Sequence, residues 1–135
     1  MKAKQVTSGY SDILDATTGS ASTVHVSDLD GESSPGNKNR WNATVIIIVV
    51  DAYGNPVSGA TVAGIWSNGV NGSGSCVTDS KGQGSITKTN IKNNINDVTF
   101  TVTHVEYPSH TYDPYSNDDP DGDSNGTIIV INTPL

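Results

Sequence analysis

Apolar and polar residues alternate along most of this chain in short segments. Clusters of Gly, Pro, Asn, Asp and Ser separate them. Alternation with a period of two predicts half-buried β-strands. The pattern places strands at residues 22–27, 41–51, 60–67, 75–78, 84–89, 97–106 and 127–132. No window carries a 3.6-residue apolar period, so no amphipathic helix is expected. Tyr53-Gly54-Asn55-Pro56 and Asp79-Ser80-Lys81-Gly82 read as turns. Residues 28–40 and 107–125 read as loops. Seven strands at this spacing predict an all-β, Greek-key β-sandwich over residues 22–135. Residues 1–21 read as a linker or loosely docked arm.

Parity adds detail. Val98, Phe100 and Val102 share one face of their strand, opposite Thr99, Thr101 and Thr103. Val62, Gly64 and Trp66 share another, with Trp66 as a core anchor. Two strands are apolar on both faces over part of their length. One carries Ile46, Ile48 and Val50 behind Val45, Ile47 and Val49; the other carries Ile128 and Val130 behind Ile129 and Ile131. Two explanations stand side by side. Ile13 and Leu14 of the arm cover the outer patch, or Ile46, Ile48 and Val50 serve self-association or packing on a neighbouring domain.

Composition narrows the function. A length of 135 residues suits one domain. The formal charge of −7 argues against a nucleic-acid partner and against docking on an anionic membrane. The longest apolar run, 45–50, is too short to cross a bilayer. Cys76 is alone, so an internal disulfide is excluded. No apolar stretch follows the charged start, so no signal peptide is read. Abundant Thr, Ser, Asn and Gly, with few Lys, Glu and Leu, favour a domain cut from a longer secreted protein.

The run 45–105 resembles the bacterial immunoglobulin-like domains of the invasin/intimin type. The matching stretches are VVDAYGNPVSGATV (49–62), CVTDSKGQGSITKT (76–89) and VTFTV (98–102). Gly54 and Gly82 suit turns that need positive φ, and Pro56 fixes the chain after the first. HVSDLDG (25–31) and YDPYSNDDPDGDSNGT (112–127) are similar to modules appended to large secreted bacterial proteins, including hydrolases. The resemblance implies an immunoglobulin-like sandwich that serves as spacer, stalk, adhesive tip or accessory module. It also implies a second cysteine at the position of Gly84, which this chain lacks.

The segment NDDPDGDSNG (117–126) carries the clearest chemistry. Asn117, Asp119, Asp121 and Gly122 follow the D-x-[DN]-x-[DN]-G opening of a calcium loop, and Asp123 and Asn125 continue the alternation. Hard oxygens at every second residue can wrap one Ca²⁺. Ile128 stands where an EF-hand places its bidentate Glu, so a further ligand has to come from elsewhere. Asp28 and Asp30 form a second acidic site. With all connections antiparallel, these two lie at the opposite end of the sandwich from 117–125. Asp51 and Asn55 then lie at the right end. The alternative to a cation site is a solvated acidic loop.

Catalytic signatures are missing: His25, His104 and His110 accompany no nucleophile elbow, HExxH motif or phosphate loop. Tyr53, Tyr107, Tyr112 and Tyr115 fall in two loops that parity brings to one end. Aromatic faces beside carboxylates and Ca²⁺ suit sugar recognition, and the same tyrosines suit pinning a long loop to the sandwich. The expectation is a non-catalytic, calcium-stabilised module whose partners are neighbouring domains of a larger protein. Calcium-dependent binding of polysaccharide or a cell surface is the alternative.

Overall fold

The computed structural model describes residues 22–134; the arm 1–21, with Ile13 and Leu14, lies outside them. The fold is an all-β sandwich of two four-stranded sheets. The strands are β1 (Thr23–Pro35), β2 (Arg40–Asp51), β3 (Thr61–Ser67), β4 (Ser73–Val77), β5 (Gln83–Lys92), β6 (Asp97–Glu106), β7 (Thr111–Tyr112) and β8 (Ile128–Asn132). One sheet has the order β5-β2-β1-β7 and the other β4-β3-β6-β8. All pairings are antiparallel except β1–β7, which is parallel over two rungs.

Parity builds the core as expected. Trp41, Ala43, Val45, Ile47 and Val49 of β2 are buried and face Val62 and Trp66 of β3 and Val98, Phe100 and Val102 of β6. Trp66 and Phe100 meet edge to face with ring centroids 5.0 Å apart. The Trp41 indole nitrogen donates to the Ile95 carbonyl at 3.2 Å, which satisfies its one polar atom. Among the described residues no helix is long and apolar enough to cross a membrane.

Two expectations need correction. Residues 28–35 are strand, not loop: β1 pairs with β2 along its whole length, from Val24↔Asp51 to Pro35↔Trp41. A bulge between Val26 and Asp28 shifts the register, so inward positions move from Val24 and Val26 to Leu29. Asp28 and Asp30 then stand opposite Ile48 and Ile46 on the outer face. The long connection before β8 is also not a free loop. It forms β7, then a 3₁₀ turn at Pro114–Ser116, and runs alongside β1.

Ile46, Ile48 and Val50 are not among the exposed large apolar side chains of the described residues. Val50 is 8% exposed and bridges to Pro56, while Ile46 and Ile48 are half-buried. Exposed apolar side chains lie on the outer face of the other sheet instead, where Ile65, Thr101 and Ile128 share a rung and Val130 is the next outward residue of β8. A Cβ built on Gly84 would stand 3.4 Å from that of Cys76, close to the spacing a disulfide needs.

Candidate metal centre

Strand β1, flanked by β2 and over two rungs by β7, supplies two aspartates, and the segment after the 3₁₀ turn supplies three. Asp28, Asp30, Asp119, Asp121 and Asp123 each offer a carboxylate oxygen, and these atoms lie within 4.8 Å of one another. Backbone pairing brings the two segments together. The Asp113 N–H donates to the Val24 carbonyl at 2.9 Å and the Asp118 N–H to the Val26 carbonyl at 3.0 Å. Val26 N–H in turn donates to Asn117 Oδ1 at 2.8 Å. The loop thus docks along the edge of β1 that β7 leaves open, a common way of covering a strand edge.

The loop has its own bracing. Asn117 Nδ2 donates to the Tyr112 hydroxyl at 2.6 Å and to Thr127 Oγ1 at 2.9 Å. Asn125 Oδ1 accepts the N–H groups of Thr127 and Ile128. Ser124 Oγ donates to Asp119 Oδ2 at 2.7 Å. Gly126 has φ 84°, and a Cβ there would lie 2.5 Å from the Asp118 nitrogen. Only glycine lets the loop close on itself at that point.

The carboxylates lack matching donors. Asp119 is 9% exposed, and its Oδ1 and that of Asp28 are buried without a hydrogen-bond partner. Orphaned buried oxygens of this kind are rare and costly. Burial, then Asp119, then the charges of Asp30 and Asp121 push the Asp28 carboxyl up to about 7. The facing Asp119 carboxyl, then burial and Asp121, push Asp123 up to about 8. Asp121 is also raised, chiefly by Asp119. For Asp119 burial acts upward, but the facing carboxyls of Asp28 and Asp123 and the Ser124 hydroxyl together hold it below the usual carboxylate range. Without a cation the cluster keeps protons near neutral pH.

This geometry corrects the expected separation of the two acidic stretches. Asp28 and Asp30 do not lie at the far end; they meet Asp119, Asp121 and Asp123. The reversal follows from the connection running beside β1 before it enters β8. Asp51 is not among these residues: its Oδ1 accepts the N–H groups of Tyr53 and Asn55 at 2.9 and 3.0 Å. Asn117 and Asn125 spend their side-chain oxygens on backbone N–H groups. Among the described residues this five-aspartate group is the one cluster of metal-ligating side chains, and it could hold a metal ion.

The four tyrosines divide. Tyr107 and Tyr112 pack against the core; Tyr107 lies 4.9 Å from the His110 ring and Tyr112 5.8 Å from that of His104, centroid to centroid. Tyr53 and Tyr115 are 71% and 98% exposed. A polar cleft of about 340 Å³ opens beside Asp123, lined by Glu32, Ser33, Ile131, Asn132 and Thr133 among others. The alternation along the chain does not point to it, because it forms between β1 and β8, which lie in different sheets. Comparison with protein-family models, with curated proteins and with solved structures finds no match.

Proposed function

We propose that this chain is a non-catalytic, calcium-stabilised immunoglobulin-like module of a larger secreted or surface bacterial protein. The observation that carries this reading is the buried Asp119 oxygen with no partner, turned into four further carboxylates. A cation relieves their repulsion and gives that oxygen a ligand bond. The donor set selects the ion. Five carboxylates without His or Cys disfavour zinc. Mg²⁺ keeps several waters and seldom takes an all-protein cage, whereas Ca²⁺ accepts about six to eight oxygens in flexible geometry. Bound Ca²⁺ ties the middle of β1 to the segment that leads into β8, and so fastens one sheet's edge to the other sheet's last strand.

The test is a thermal melt in calcium against EGTA. At a calcium concentration of about 100 times Kd the gain is about 2.7 kcal/mol. For a domain of this size that raises the midpoint by roughly 8 °C. An unchanged midpoint defeats the reading. Calcium-dependent carbohydrate binding is supported by the polar cleft beside Asp123, rather than by Tyr107 and Tyr112, which are spent on packing. Titration of simple methyl glycosides in calcium, followed by NMR shifts at Glu32 and Asn132, tests it.

A further inference from the structure

We propose that the five-aspartate cluster binds trivalent rare-earth ions of calcium's size more tightly than it binds calcium itself. The inference rests on the cation reading above and adds the class of ion the site prefers. Its ground is the charge count. Asp28, Asp30, Asp119, Asp121 and Asp123 meet within 4.8 Å, with no neutral oxygen from the two nearby asparagines, whose carbonyls accept backbone N–H groups instead. Among the described residues no basic side chain pairs with them: the one ion pair joins His104 to Glu106. A divalent ion leaves the five carboxylates with three uncompensated charges, and a trivalent ion leaves two.

Ligand charge count tunes the affinity of such sites. The attraction scales with the charge on the ion and strengthens where water is excluded. Asp119 is 9% exposed with an orphaned oxygen, so part of this field acts in a dry environment. Rare-earth ions of calcium's radius share its preference for hard oxygens and its loose geometry, so the cage needs no rebuilding. The extra unit of charge is the main difference between the two ions.

The experiment is a calorimetric titration of the whole chain with calcium chloride, with lanthanum chloride, and with lanthanum in the presence of calcium, in a buffer without phosphate. Lanthanum displaces calcium and binds roughly a hundredfold tighter. Asp121→Asn supplies the second arm, because Asp121 is exposed and its replacement leaves the fold intact. Removing one charge costs the trivalent ion about 1.5 times the loss in log affinity that it costs calcium. Affinities within tenfold of each other, or equal losses for the two ions in Asp121→Asn, overturn the preference while leaving the calcium site standing. Binding of neither ion removes both the site and the preference.

Discussion

Asp51 and Asp79 each open a tight turn of the form D-x-x-G-x, and the two turns are built alike. In both, one carboxylate oxygen accepts the N–H groups two and four residues on: Tyr53 and Asn55 for Asp51, Lys81 and Gln83 for Asp79. In both, the glycine has positive φ and its N–H returns to the aspartate carbonyl. Donors surround these carboxylates, and both are held below the usual range, led by the backbone N–H of Asn55 and of Gln83. The cluster around Asp119 is the reverse: carboxylates face carboxylates, and Asp28, Asp121 and Asp123 are raised. One residue type is satisfied locally in the turns and left unsatisfied across the tertiary structure in the cluster. The first arrangement is complete without a ligand; the second asks for one.

The sharpest way to break this contrast is Asp119→Asn. It removes the buried charge while an amide oxygen can still accept from Ser124. In calcium the variant should melt below the native protein by nearly the whole calcium increment. In EGTA at pH 8 it should melt at or above the native protein, since repulsion has been relieved. Melts that fall equally in both media would mean that Asp119 serves packing alone. Asn117→Ala comes next. It orphans the Val26 N–H and frees the loop from Tyr112 and Thr127, which costs about 1–2 kcal/mol. Because the loop then wanders from β1, calcium affinity should fall as well, measured by titration calorimetry on the folded variant.

The same contrast explains what could be read from the chain and what could not. Asp119, Asp121 and Asp123 were legible because their spacing is local: alternate residues and a glycine suffice. Their partners on β1 were not. Asp28-Leu29-Asp30-Gly31 has turn-like chemistry, and the bulge after Val26 breaks the alternation that would have extended the strand. A faint signal was present, since Asp28, Asp30 and Glu32 alternate with Leu29 and Gly31. Gly31 hides it, because a side chain there would press on β8: a Cβ would lie 2.7 Å from Ile131. Asn117 and Asn125 look like ligands in sequence because an amide oxygen suits calcium and a backbone N–H equally well. The docked loop decides between these uses. Core parity in β2, β3 and β6 was legible throughout, because burial there follows the period of the strand.

A pH profile of the ion-free protein sharpens the comparison further. Asp28 and Asp123 titrate near 7 and 8 in the folded chain and near 4 when unfolded. Their folded pKa is raised, so their protonated forms favour the folded state, and that contribution fades as pH climbs from about 4 through 8. In EGTA the midpoint should therefore drop between pH 5 and pH 8. In saturating calcium the drop should vanish, because the ion replaces the protons. Parallel curves in the two media would show that the carboxylates titrate independently of the ion.

The smallest effect is expected at the turns, from Asp51→Asn and Asp79→Asn. An asparagine keeps the oxygen that accepts the two N–H groups, so near neutral pH the midpoint should change only slightly, and by the same amount in calcium and in EGTA. The difference appears in acid. A carboxyl held below its usual range favours the folded state above about 4 and loses that contribution as pH falls through the folded value. The native turns therefore weaken below pH 4, and the asparagine turns, which do not titrate, hold their strength. Acid melts should converge on, or cross, those of the native chain. The same change from Asp to Asn thus has opposite signatures in the two places: at Asp119 it is read in calcium and at alkaline pH, at Asp79 in acid and without regard to the ion. A calcium-sensitive Asp79→Asn would show that the turns and the cluster are energetically one unit, joined through β2 and β1, rather than two separate uses of one side chain.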